Sequence, residues 1–187
     1  MKKADGAPLP NDVIGSPERL PSCFWITGLS GAGKTTLAQA LFIALRRRDI
    51  RAVVLDGDEL RRGLCADLGL SDADRHENIR RAGEVARLMA DTGLVVICAF
   101  VSPFAADRAR VRQLFAAGRF TEVYLSTSVA TCAARDPKGL YAKARAGILT
   151  GLTGWDAPYD VPRSPEFVFD TLAVETATMV DALLGAY

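Results

Sequence analysis

The sequence predicts an α/β domain in which a parallel sheet is flanked by helices. Two observations carry this. Short apolar runs alternate with stretches of helical periodicity, the pattern of successive βαβ units. The most apolar run, LVVICAFV from Leu94 to Val101, is continuous rather than alternating, as a strand buried on both faces requires. In order, the strand-like runs are Cys23–Thr27, Ala52–Leu55, Leu94–Ala99, Glu122–Leu125 and Phe167–Phe169. The helical patterns are Lys34–Arg48, Glu77–Asp91, Asp107–Ala117, Val129–Ala134 and Glu175–Leu184. Within Glu77–Asp91, the residues Ile79, Ala82, Val85, Ala86 and Met89 form one stripe at helical spacing. Residues 1–22 carry four prolines and no periodic pattern, and read as an N-terminal arm ahead of a single domain over 23–187. From Arg135 to Pro165 the alternation stops. That stretch is rich in Gly, Pro and basic residues with no strand pattern, and is expected to carry a lid at about 135–158.

Composition narrows the function classes. The chain has 187 residues with 23 Lys plus Arg and 22 Asp plus Glu, a net charge of +1. Near-balance argues against nucleic acid or an anionic membrane surface as the main partner. The longest apolar run is far short of the roughly 20 residues a spanning helix needs. The N-terminus lacks the apolar core of a secretory signal, so a cytoplasmic protein is expected. Cys23, Cys65, Cys98 and Cys132 form no CxxC pair and read as small buried thiols. His76 is the sole histidine, which removes HExxH zinc chemistry, and any Ser-His-Asp triad would have to use it.

One motif dominates. GLSGAGKT, from Gly28 to Thr35, fits GxxxxGK[ST] and stands between the strand-like CFWIT and the helical TLAQALFIALRRR. The chemistry requires that order. Glycines let backbone N–H groups turn onto phosphate oxygens, and the helix N-terminus adds a favourable dipole. Gly28, Ser30, Gly31, Ala32, Gly33, Lys34, Thr35 and Thr36 are therefore the candidate ATP-phosphate residues. Lys34 is placed at the β/γ-phosphates and the Thr35 hydroxyl at Mg²⁺. No NKxD guanine motif is present, and the chain is short for a mechanical ATPase, which leaves a small-molecule kinase.

Such a kinase needs a carboxylate near the metal and the attacking hydroxyl. The central apolar run ends in Val101-Ser102-Pro103 without an acid, so the carboxylate is sought in Asp56-Gly57-Asp58, after the second strand-like run. Asp58 is the candidate for metal-water contact and for deprotonating the acceptor. Arg75 and Asn78 share a helix face, and Arg61 follows Asp58 by three residues, which suggests an anionic acceptor. Arg135, Lys138, Lys143 and Arg145 add positive charge from the lid.

These motifs resemble those of adenylylsulfate kinases, which transfer the ATP γ-phosphate to the 3′-hydroxyl of adenosine 5′-phosphosulfate. GLSGAGKTT, LDGDELR, LGLSDADRHENIRRAGEVARL, SPF, RDPKGLYAKARAG and TGWDAPYD occur in the family's order. The resemblance implies a three-layer P-loop kinase fold, a homodimer, and Mg²⁺ accompanying ATP. It implies that Asp58 is the catalytic acid position, and that Arg61, Arg75, Asn78, Ser102 and Lys138 face the acceptor. The chain departs from the pattern at Glu59, at Ala105 and at Ile148-Leu149-Thr150. Leu70 and Leu152 replace two phenylalanines that sandwich the acceptor adenine in the family. One alternative is therefore a paralogue that phosphorylates a ribose hydroxyl of another activated nucleotide, such as a cytidine diphosphate derivative. Another is a degenerate nucleotide-binding module, against which intact Lys34, Thr35 and Asp58 weigh.

Overall fold

The computed structural model describes residues 21–186. Five strands form one sheet in the order β2-β3-β1-β4-β5, and every pairing is parallel. They are β1 (Cys23–Gly28), β2 (Ala52–Asp56), β3 (Val95–Ala99), β4 (Phe120–Leu125) and β5 (Phe167–Phe169). The helices are α1 (Lys34–Arg47), α2 (Gly57–Arg62), α3 (Asp72–Asp91), α4 (Ala105–Arg112), α5 (Val129–Arg135), α6 (Leu140–Arg145) and α7 (Thr176–Gly185).

Strand alternation divides the core into two. Phe24 and Ile26 of β1 join Leu37, Leu41 and Leu45 of α1 and Met179 and Leu183 of α7. Cys23 and Trp25, pointing the opposite way, join Ile79, Ala82 and Ala86 of α3 and Val111 of α4. The result is three layers, helices–sheet–helices. All four cysteines are buried and free. No helix among the described residues is long and apolar enough to cross a membrane.

From β1 the chain moves to β2 and β3 on one side, then to β4 and β5 on the other. The reversal falls between β1 and β3, and a crevice outside the carboxyl ends of these strands follows from it.

The elements differ from the sequence expectation at their polar ends. Helix α3 starts at Asp72 rather than Glu77, because Ser71 caps it by accepting from the Asp74 amide. Helix α2 was not expected. It forms because the Asp56 side chain accepts from the Asp58 amide, with acids in its first turn and arginines in its last. The 135–165 stretch is also not wholly irregular. Asp136 accepts from the Tyr141 and Ala142 amides and so starts α6. The expected arm reaches into the described part only at its end. There Ser22 donates its N–H to Arg119 and accepts from Val96, so sheet pairing begins before β1. The rest of that arm lies outside the described residues.

Candidate active site

A cleft of about 980 Å³ opens at the carboxyl ends of the central strands. One half is built on the loop between β1 and α1. Gly28 has φ +146°, and a Cβ there would lie 2.8 Å from the Leu125 carbonyl oxygen. Gly31 has φ +79° and approaches the Cys132 carbonyl in the same way. Only glycine passes through these points without displacing backbone. Gly33, also left-handed, is the N-cap of α1 and supplies no side-chain cap, so the first amides of that helix are left for an anion. Ser30, Gly31, Gly33, Lys34, Thr35 and Thr36 line the cleft. Gly28 and Ala32 do not; Ala32 is buried and accepts from Thr171 through its carbonyl.

Lys34 folds back on this loop and donates to the Gly28 and Leu29 carbonyls at 2.9 and 2.7 Å. Burial first, and then nearby Lys138, lower its pKa from 10.5 to about 8. The Asp56 and Asp58 carboxylates pull the other way. The Thr35 hydroxyl donates to Asp56 Oδ2 at 2.7 Å. Asp56 is therefore the strand-end acid that the sequence reading sought and did not single out. Its side chain reaches Thr35 with one oxygen and caps α2 with the other. The signal was available, since Asp56 ends the β2 run directly.

The other half is walled by α2, α3, the loop after β3 and the long insert. Arg61, Leu70, Arg75, Asn78, Ser102, Lys138 and Leu152 all line the cleft. Their guanidinium and ammonium groups are already engaged by the protein. Arg61 donates to the Leu68 and Gly69 carbonyls. Arg75 donates to the Leu70 carbonyl at 2.8 Å, to the Gly151 carbonyl and to the Thr153 hydroxyl. One arginine thus ties together the two segments that carry Leu70 and Leu152. Those leucines differ in setting: Leu70 is 53% exposed and Leu152 8%. Lys138 pairs with Asp58. Asn78 is buried, and its Oδ1 has no hydrogen-bond partner within the protein.

Ser102 turns its hydroxyl away from the cleft. It accepts from Trp25 Nε1 at 3.1 Å and donates to Thr27 Oγ1 at 2.9 Å, so what Ser102 offers the cleft is its backbone. In the insert, Arg135 lines the cleft and donates to Thr171 Oγ1 at 2.7 Å, beside the phosphate loop. Tyr141 is buried and donates to the Ser30 carbonyl at 2.9 Å. Lys143 and Arg145 stand outside the cleft lining on the exposed side of α6, where Arg145 lies over the Trp155 ring. His76 is also outside the lining. Its Nδ1 pairs with buried Asp107 at 2.6 Å and its ring lies against Phe104, so it joins α3 to α4.

The oxygen donors suit a hard cation. Thr35 and Asp56 meet at the mouth of the phosphate loop, with Asp58 two residues on. Among the described residues no group of three or more His, Cys, Asp or Glu forms a cage. The Thr35 hydroxyl and Asp56 carboxylate are the kind of donor that Mg²⁺ takes, since it binds through one or two protein oxygens, water and substrate phosphates.

A parallel sheet of this strand order, a glycine-rich loop opening α1, and a hydroxyl–carboxylate pair at its mouth define a P-loop kinase. The adenylylsulphate kinase family profile matches residues 20–170, and the chain belongs to that family. It is 54% identical to the adenylyl-sulfate kinase of Marinobacter nauticus over 165 residues, which is 88% of this chain and 83% of that one. It superimposes on the Mycobacterium tuberculosis APS kinase CysC in complex with AMPPNP and APS with a TM-score of 0.85. Identity there is 44%, covering 90% of this chain and 97% of the other. A hexameric APS kinase from Thiobacillus denitrificans gives a TM-score of 0.66 at 32% identity, covering 90% of this chain and 29% of that one.

Proposed function

We propose that this chain transfers the γ-phosphoryl group of ATP to the 3′-hydroxyl of adenosine 5′-phosphosulfate. The observation that carries the reading is Asn78. A buried side-chain oxygen without a partner costs about 1–3 kcal/mol, so its persistence opposite the phosphate loop calls for a ligand donor. The exocyclic amine of an adenine or the hydroxyl of a ribose supplies one.

The phosphate half binds and orients ATP. Lys34 leaves its own loop carbonyls for the β/γ-phosphates, and the free amides at the start of α1 take the remaining oxygens. Thr35, Asp56 and Asp58 are the residues that would hold Mg²⁺, and when bound the ion neutralises phosphate charge. Asp58 accepts the proton of the 3′-hydroxyl. The hydroxyl oxygen then bonds to the γ-phosphorus as the bond to the β–γ bridging oxygen breaks, and ADP leaves. For that role Asp58 must part from Lys138. Lys138 is then free to follow the transferred charge, while Arg61 and Arg75 supply positive potential along the acceptor's anionic end. Leu70 and Leu152 take the base between them by dispersion alone. The active unit is a cytoplasmic homodimer.

The reading is tested by incubating the protein with Mg²⁺, ATP and adenosine 5′-phosphosulfate and locating the new phosphate by ³¹P NMR. A 3′-phosphorylated product formed with one ADP each supports it. A cytidine diphosphate derivative phosphorylated in preference to adenosine 5′-phosphosulfate assigns the site to the other acceptor, and ATP binding without any transfer would leave a binding module. The oligomer is read by light scattering, where a monomer would refute the dimer.

A further inference from the structure

Arg108 is a buried arginine that none of the chemistry above uses. It stands on α4, only 3% exposed, and makes an ion pair with Glu122 of β4 at 2.8 Å. Its two other nitrogens are spent on carbonyls: Ser102 at 2.7 Å and Asp160 at 2.6 Å. The guanidinium also lies 5.7 Å from the centre of the Tyr159 ring.

What these partners share is the inner edge of the cleft. Ser102 has φ +38°, a left-handed conformation that a serine holds only when its surroundings over-determine it. Arg108 fixes its carbonyl, while Trp25 and Thr27 fix its hydroxyl. Thr27 gives its own proton to the Val101 carbonyl, so the Tyr159 hydroxyl donates to Thr27 at 2.9 Å. Asp160 closes the seam by donating to the Pro103 carbonyl and accepting from the Ala105 amide. The loop after β3 and the return of the long insert are therefore sewn together, with Arg108 underneath both.

We infer that Arg108 is a positioning residue for the acceptor: it sets the backbone of Val101–Pro103, which lines the cleft, without touching either substrate. The claim rests on reading that half of the cleft as the acceptor side. Arg108 makes no bond to the phosphate loop, so its loss falls on one substrate and not on the other.

The test is Arg108→Lys, which keeps the charge beside Glu122 and cannot span both carbonyls. With the variant folded, KM for adenosine 5′-phosphosulfate rises roughly tenfold or more, while KM for ATP changes by less than about twofold. Amide exchange quickens at Ala105 and Asp160 and stays unchanged over Gly28–Thr35. An equal rise in both KM values, or no rise in either, overturns the inference. So does unchanged exchange at Ala105 and Asp160, a readout that needs no turnover. If the wild-type protein phosphorylates a different nucleotide, the acceptor reading fails alone, and the same split is measured with that nucleotide. Should Arg108→Lys not fold, Arg108→Gln with Glu122→Gln removes both buried charges together and gives the same readouts.

Discussion

On the phosphate side of the cleft, Lys34 and Thr35 already have partners within the protein, whereas on the acceptor side Asn78 keeps a buried oxygen unpaired. The phosphate side is shaped by backbone that only glycine can follow, and by a helix N-terminus. The acceptor side is shaped by side chains reaching across loops, with Arg75 joining two of them and Arg108 bracing a third. The difference teaches where each kind of specificity resides. On the proposed function, phosphate recognition is fixed in the fold, and base recognition depends on a few replaceable walls.

The largest effect separating the halves is expected at Lys34. Lys34→Ala should lower turnover by about three orders of magnitude or more, because it removes the charge proposed to meet the β/γ-phosphates. The folded state should not suffer, since a buried ammonium is lost. Steady-state rates beside a melting curve check both parts, and near-normal turnover in a folded sample would remove Lys34 from the phosphate site. Asp58→Asn comes next, with kcat reduced about 10²–10⁴-fold and KM for ATP little changed. An undiminished kcat would move the base elsewhere, Asp56, which also lines the cleft, being the next candidate.

A smaller effect follows from Lys34 titrating near pH 8 instead of 10.5. Below about pH 8 the ammonium is charged in both folded and unfolded chains, and its burial cost is present in full. As pH rises from 8 toward 10.5 the folded chain releases the proton first, so this contribution to stability improves. ATP requires the charged form, so its dissociation constant should rise over the same interval and binding should take up a proton. Calorimetry at pH 8 in buffers of different ionisation enthalpy measures that uptake. Buffer-independent heats would refute it.

The smallest effect concerns the insert. Tyr141 and Asp160 are hydrogen-bonded to the phosphate loop and to the loop after β3, while 142–150 are mostly exposed. Hydrogen exchange without ligands should be fast over 142–150 and slow at Asp160, and binding of both substrates should slow the first group. Equal strong protection throughout would make the segment a static part of the core.

Much of this was legible in the sequence because it is local. The run of glycines before Lys34, the continuous apolar β3 and the α3 stripe each carry their own signature. What escaped depends on contacts distant in sequence. Asp58 rather than Asp56 stood out because the bond from Thr35 to Asp56 spans 21 residues and joins the loop after β1 to the end of β2, with β3 between them. Arg108 belongs to no motif, and its partners Ser102, Glu122 and Asp160 come from three separate parts of the chain. Helix α2 and the early start of α3 were missed for a different reason. Their caps, Asp56 and Ser71, were visible, but neither segment has an apolar stripe to announce a helix.

The comparison of the two halves turns on Leu70 and Leu152, so the most direct measurement is kcat/KM for a panel of acceptors before and after Leu70→Phe with Leu152→Phe. The wild-type protein should prefer adenosine 5′-phosphosulfate to a cytidine diphosphate derivative. The double variant should use it up to about tenfold better through restored stacking, with KM for ATP unchanged. The contrary result is weak activity on adenosine 5′-phosphosulfate that phenylalanine does not improve, beside strong activity on the cytidine derivative that phenylalanine abolishes.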